Sequence, residues 1–222
     1  MIYGKPPSRD RTALWKVLLF CVLSVMGNAA SSALVDGILK VPLYLDTVFS
    51  VAVTFAFGLW PGILTGALLY PVTGVLYNII TGAGAGAFRI AGNVFILCTV
   101  SEITLVWFFR TQIGRSMLPE ESSPSSFASI AARLMVLAAL DCILISITGG
   151  IIDFVLYTLL SAPRGVYPED VFKLGLYRNN VPLLAAAILS RIPINIVDRF
   201  IAIFGGYGIS LLYRRCAGSA AP

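Results

Sequence analysis

Near the end of the chain, the stretch from Ser190 to Phe200 reads SRIPINIVDRF and sets Arg191, Asn195 and Asp198 at i, i+4 and i+7 in an otherwise apolar run. At about 100° per residue these three share one face of a helix, so a guanidinium, an amide and a carboxylate project together. Polar groups inside an apolar segment need partners, water or a ligand. Pro193 removes one backbone hydrogen bond from the same turn and leaves a carbonyl free. Arg89 and Asn93, at i and i+4, form a second stripe. The candidate substrate-binding residues are therefore Arg89, Asn93, Arg191, Asn195 and Asp198. What they offer is charge recognition and hydrogen bonding.

Catalysis is not expected. The chain has no histidine, which removes histidine bases, histidine proton relays and His-based metal sites. No metal, cofactor or covalent step is anticipated. The segment TGAGAGAF holds a formal G-x-G-x-x-A match from Gly82 to Ala87, but it follows a membrane span rather than a strand and reads as an external loop. Asp46, Glu102, Arg133, Asp141, Asp153 and Arg199 are further ionisable residues in apolar surroundings. Asp46 sits where a helix begins, and there a carboxylate caps free N–H groups and favours the positive end of the dipole. Glu102 points away from Asn93 on a regular helix and is read as a partner for another helix, for example through Arg133.

The elements that must hold these groups are helices in a bilayer. With 58% hydrophobic and 12% charged residues among 222, the composition lies outside the range of soluble domains, and the period-two alternation of a barrel is missing. The expected fold is all-α, with six transmembrane helices near residues 13–35, 42–58, 61–80, 88–109, 127–160 and 181–213 in one integral membrane domain. A tight turn is expected at Trp60-Pro61-Gly62, with bends at Gly149-Gly150 and Pro193. Basic clusters before the first span, after the fourth and after the sixth place both termini in the cytoplasm. The loops near 36–41, 81–87 and 161–180 then lie outside, the last two forming a lid. The net charge of +5 reflects this topology, and nucleic acid is not an expected partner. The first span also imitates a cleavable signal peptide, with retention preferred. The four scattered cysteines read as small hydrophobes, and Trp107 as an interfacial anchor.

Within GNAASSAL, Ala29 and Ala33 have the A-x-x-x-A spacing that lets helices approach closely in lipid. This motif, the segment LYLDTVFSVAVTFAFGLWPGILTGAL with Gly58, Gly62 and Gly66, and the closing PINIVDRFIAIFGGYGISLLYRR together resemble the substrate-binding S components of energy-coupling-factor transporters. The resemblance covers nearly the whole chain. It implies a protein of the cytoplasmic (inner) membrane that binds a small water-soluble vitamin or related micronutrient from outside. It also implies partners, namely a transmembrane T component and two ATPase subunits, with Ala29 and Ala33 as docking residues. The sixth span is most similar to riboflavin-binding members, whose pattern is P-x-N-x-x-K. Asp198 replaces that Lys, which implies a ligand with hydrogen-bond donors or positive charge. The alternatives are the membrane sensor module of a signalling protein, which needs an output domain, and a small autonomous secondary transporter using buried carboxylates.

Overall fold

The computed structural model describes residues 11–35, 43–81, 93–115, 124–160 and 168–217. These are helical throughout apart from short connections, with no strand among them. In order, the helices are α1 (Arg11–Ser32), α2 (Val48–Phe57), α3 (Leu59–Thr81), α4 (Ile96–Arg115), α5 (Pro124–Asp153), a π-helical turn (Phe154–Leu159), α6 (Pro168–Arg178), α7 (Leu183–Leu189) and α8 (Ile192–Ala217). Two of the helical stretches, Leu14–Val35 and Ala128–Leu159, are long and apolar enough to cross a membrane.

The centre of the bundle is a short apolar helix. At 10 residues, α2 rises only about 15 Å, half the thickness of a bilayer core. It packs on α8, α3, α1 and α4, and Val51 and Phe55 join Ile103, Val106, Leu137 and Ile203 in the main core. A buried helix end leaves unpaired backbone groups unless other elements supply partners. Here α1 serves the start: Asn28 Oδ1 accepts from Phe49 N (2.8 Å) and Asn28 Nδ2 donates to Ser50 Oγ (2.8 Å). The far end is served by arginines. Arg110 donates to the carbonyls of Phe55 (2.9 Å) and Ala56 (3.1 Å), and Arg214 also bonds Phe55 O.

Several expected boundaries move. The turn after α2 falls at Gly58, whose φ of 102° suits glycine alone, while Pro61 sits in the first turn of α3, where no intrahelical N–H is needed. Hydrogen-bonded helix continues through Gly149 and Gly150, which serve close packing instead of a bend. A Cβ on Gly150 would lie 2.7 Å from Ile188 Cα, so α5 and α7 touch backbone to backbone. The expected sixth span is two helices, broken at Ser190 and Arg191, and Pro193 lies in the first turn of α8 rather than mid-helix.

The stretch read as an outer loop contains α6. Its limits follow the rules for helix ends: Pro168 begins it, Glu169 and Asp170 occupy its first turn, and Arg178 its last. Asn180 then adopts φ 63° while Val181 N donates back to Leu176 O (3.2 Å). This helix lies on the same end of the bundle as the segment before α2.

Candidate functional site

A cavity of about 280 Å³ opens where seven parts of the chain meet. The segment before α2 contributes Tyr44, Asp46 and Thr47, and α3 contributes Tyr70. The turn leading into α4 and that helix itself add Phe95, Cys98, Thr99 and Glu102. Ile145 and Gly149 come from α5, Tyr157 from the π-helical turn and Glu169 from α6. Arg191, at the break between α7 and α8, completes the wall with Asn195 and Arg199. Four aromatic rings and five charged side chains thus face one space.

The charges fall into two networks. In the first, Arg199 Nη1 is 2.6 Å from Glu102 Oε2 and donates to Thr47 Oγ1 (3.1 Å), while Nη2 bonds Asp198. Thr47 in turn donates to Glu102 Oε1 (3.1 Å). Glu102, Asp198 and Arg199 are nearly or fully inaccessible, at 0%, 0% and 3%. Asp46 lies 3.8 Å from Arg199 Nη2, beyond hydrogen-bonding reach, and its side chain keeps 29% of its exposure. Asp141, also buried, has no hydrogen-bond partner for either carboxylate oxygen among the described residues.

The second network ties α6 to the wall. Arg191 approaches Asp153 (3.4 Å) and Glu169 (3.9 Å) and lies 5.4 Å from the centre of the Phe95 ring. Lys173 bridges Asp153 (2.8 Å) and Asp170 (3.1 Å). Tyr44 donates its hydroxyl proton to Glu169 Oε1 (2.8 Å), which links α6 to the segment before α2.

Of the residues expected to bind substrate, Arg191 and Asn195 line the cavity together. Asn195 Nδ2 donates to Ser146 Oγ (2.9 Å), and its Oδ1 has no partner among the described residues. Asn93 is half-buried beside the cavity-lining turn and is not part of the wall, and Arg89 lies outside the described residues. Asp198 is not on the wall either. Its Oδ1 accepts from the backbone N–H groups of Tyr44 (3.1 Å) and Leu45 (2.8 Å). Leu45 has φ 41°, a region L-residues seldom occupy, and its carbonyl is held by Ser31 Oγ (2.6 Å). Asp198 is thus a positioning residue that fixes the turn carrying Tyr44, Asp46 and Thr47.

The geometry corrects the reading of Asp46 and locates Glu102, Ala29 and Ala33. Asp46 does not cap α2, because Asn28 takes that place and Asp46 faces the cavity. Glu102 does partner another helix, and the residue it meets is Arg199 on α8 rather than the Arg133 given as an example. Ala29 is 7% exposed, packed within the bundle, whereas Ala33 is exposed in a widened last turn of α1, so the two do not share an outward face. Trp107 is 41% exposed on α4 and lies away from the cavity.

The aromatic wall was missed from sequence, as were Asp46 and Glu102 as lining groups. The one signal was their position: each is an isolated acid in an apolar stretch, and helical spacing alone cannot show which helix faces it. No protein-family model matches the chain, and no curated protein or solved structure does so either.

Proposed function

We propose that this chain is a multi-pass protein of the cytoplasmic membrane that captures a small water-soluble nutrient in the cavity beneath α6 and passes it inward with energising partners, as S components do. The observation that carries the reading is the cavity itself, walled by charged and aromatic side chains inside a bundle whose outer surface is apolar. Trp15, Leu19, Met26, Phe108 and Ile143 are among the exposed side chains, while Asn28, Glu102, Asp141, Asn195 and Asp198 are buried. That arrangement inverts the pattern of a water-soluble domain and suits lipid outside with a polar site inside.

On this reading α6 covers the outer mouth, and the T component with its two ATPase subunits supplies the energy. Reconstituted alone in liposomes, the chain binds small molecules from the nutrient medium without concentrating them. A second reading has its own observation: Asp141 and Glu102 are buried acids, of the kind that carry protons in secondary transporters. Accumulation driven by a proton gradient in liposomes holding this chain alone would favour that second reading and overturn the first.

A further inference from the structure

The charges on the cavity wall are unequally used. Arg199 already bonds Glu102 and Asp198, though its Nε has no partner among the described residues, and Arg191 faces Asp153, Glu169 and the Phe95 ring, so both guanidinium charges are already matched by carboxylates. Among the described residues the wall carries three carboxylates, Asp46, Glu102 and Glu169, against those two guanidiniums. Glu102 is paired with Arg199, and Glu169 accepts from Tyr44. Asp46 makes no side-chain hydrogen bond to another described residue.

A second acceptor is idle as well. Asn195 is 1% exposed and lines the cavity, yet its Oδ1 has no partner among the described residues. A buried amide oxygen left without a donor is costly unless something that enters the cavity supplies one. Asp46 and Asn195 Oδ1 are both acceptors, and Arg199 Nε is a buried donor that also lacks a partner among the described residues. The rest of the wall includes the aromatic side chains of Tyr44, Tyr70, Phe95 and Tyr157, and aromatic rings attract positive charge over their faces.

Resting on the reading of this cavity as the ligand site, we propose that its occupant is a small planar organic cation whose N–H groups donate to Asp46 and to Asn195 Oδ1. A neutral donor ring would satisfy Asn195 but leave Asp46 with only its 3.8 Å approach to Arg199, a cation already shared by Glu102 and Asp198. An anion would add a further negative charge to a wall that already has an excess. The volume of about 280 Å³ suits one or two fused rings rather than an extended cofactor. The ligand polarity expected from Asp198 in the sequence is thereby assigned to a different carboxylate.

Three probes of nearly one shape separate the cases: benzamidine (cation), benzamide (neutral) and benzoate (anion), titrated calorimetrically into the full chain in detergent. Benzamidine is expected to bind about tenfold or more tightly than benzamide, with benzoate weakest. In Asp46→Asn the preference for benzamidine over benzamide is expected to fall below about threefold, read in a protein that still unfolds cooperatively. Equal or tighter binding of benzamide or benzoate would overturn the ligand class while leaving the cavity as a site. A benzamidine preference that survives Asp46→Asn would overturn the role given to Asp46. If none of the three binds at millimolar concentration or raises the unfolding temperature, the cavity reading fails along with the inference.

Discussion

Arg199 and Arg191 stand eight residues apart on the same cavity, and each holds a carboxylate cluster, but the clusters differ in what they join. Arg199 links α8 to α4 and to the segment before α2, and every group it bonds is buried. Arg191 links the α7–α8 break to α5 and to α6, where Lys173 keeps 17% of its side-chain exposure. A buried cluster of paired charges fixes geometry, because separating its members strands charges in a medium that cannot solvate them. A cluster that reaches water has a cheaper open state. On the proposed function, the floor of the cavity is the part expected to stay and α6 the part expected to move.

The largest test of that contrast is Arg199→Met. Removing the guanidinium leaves Glu102 and Asp198 buried without a cation, and stability in detergent should fall by about 3–5 kcal/mol. Loss of Asp198's partner should also release the Tyr44–Leu45 turn, so any variant that folds is expected to bind no ligand. Unfolding near the wild-type temperature would contradict the assignment of this network to the frame.

Arg191→Met should cost less, about 1–3 kcal/mol, because Asp153 keeps its 2.8 Å contact with Lys173. Here the expected loss is mainly in ligand affinity. A double-mutant cycle with Lys173→Met sharpens the comparison: both cations share Asp153, so the two effects should be non-additive by about 0.5–3 kcal/mol. Strict additivity would mean that the cover and wall are independent.

Smallest is Lys173→Met alone. Its stability effect should be about 1 kcal/mol or less, since Lys173 is partly exposed and Arg191 still faces Asp153. The readout is kinetic: with α6 held less firmly, ligand should enter and leave faster at nearly constant affinity. Stopped-flow fluorescence of tyrosine in the cavity wall would follow both rates.

The all-helical class was legible because apolar runs of this length leave few choices in hydrocarbon. The polar stripe of Arg191 and Asn195 was legible because helical spacing alone puts them on one face. The break before Pro193 was not, since a proline is tolerated both inside a bent helix and in a first turn, and only the packing of Ile188 on Gly150 selects the second. Asp46 resembled a cap because it precedes a helix. What displaced it was Asn28, 21 residues away from Phe49 in sequence, a partner that no local pattern reveals. Arg110 and Arg214 read as flanking positive charge, whereas the structure sends both onto the carbonyl end of α2, which sequence gave no reason to think was buried.

The claim that the cavity holds a ligand is tested most directly by filling it. Thr99 lines the wall at 2% exposure, and its hydroxyl meets Tyr70 Oη at 3.0 Å, so Thr99→Trp places an indole where a ligand would sit. Native mass spectrometry of the wild-type chain and this variant, purified from the same cells in the same detergent, reads the result. A small molecule bound to the wild type and lost from a folded Thr99→Trp protein is what the account predicts. The same molecule retained by the variant, or none bound to either protein, would contradict it.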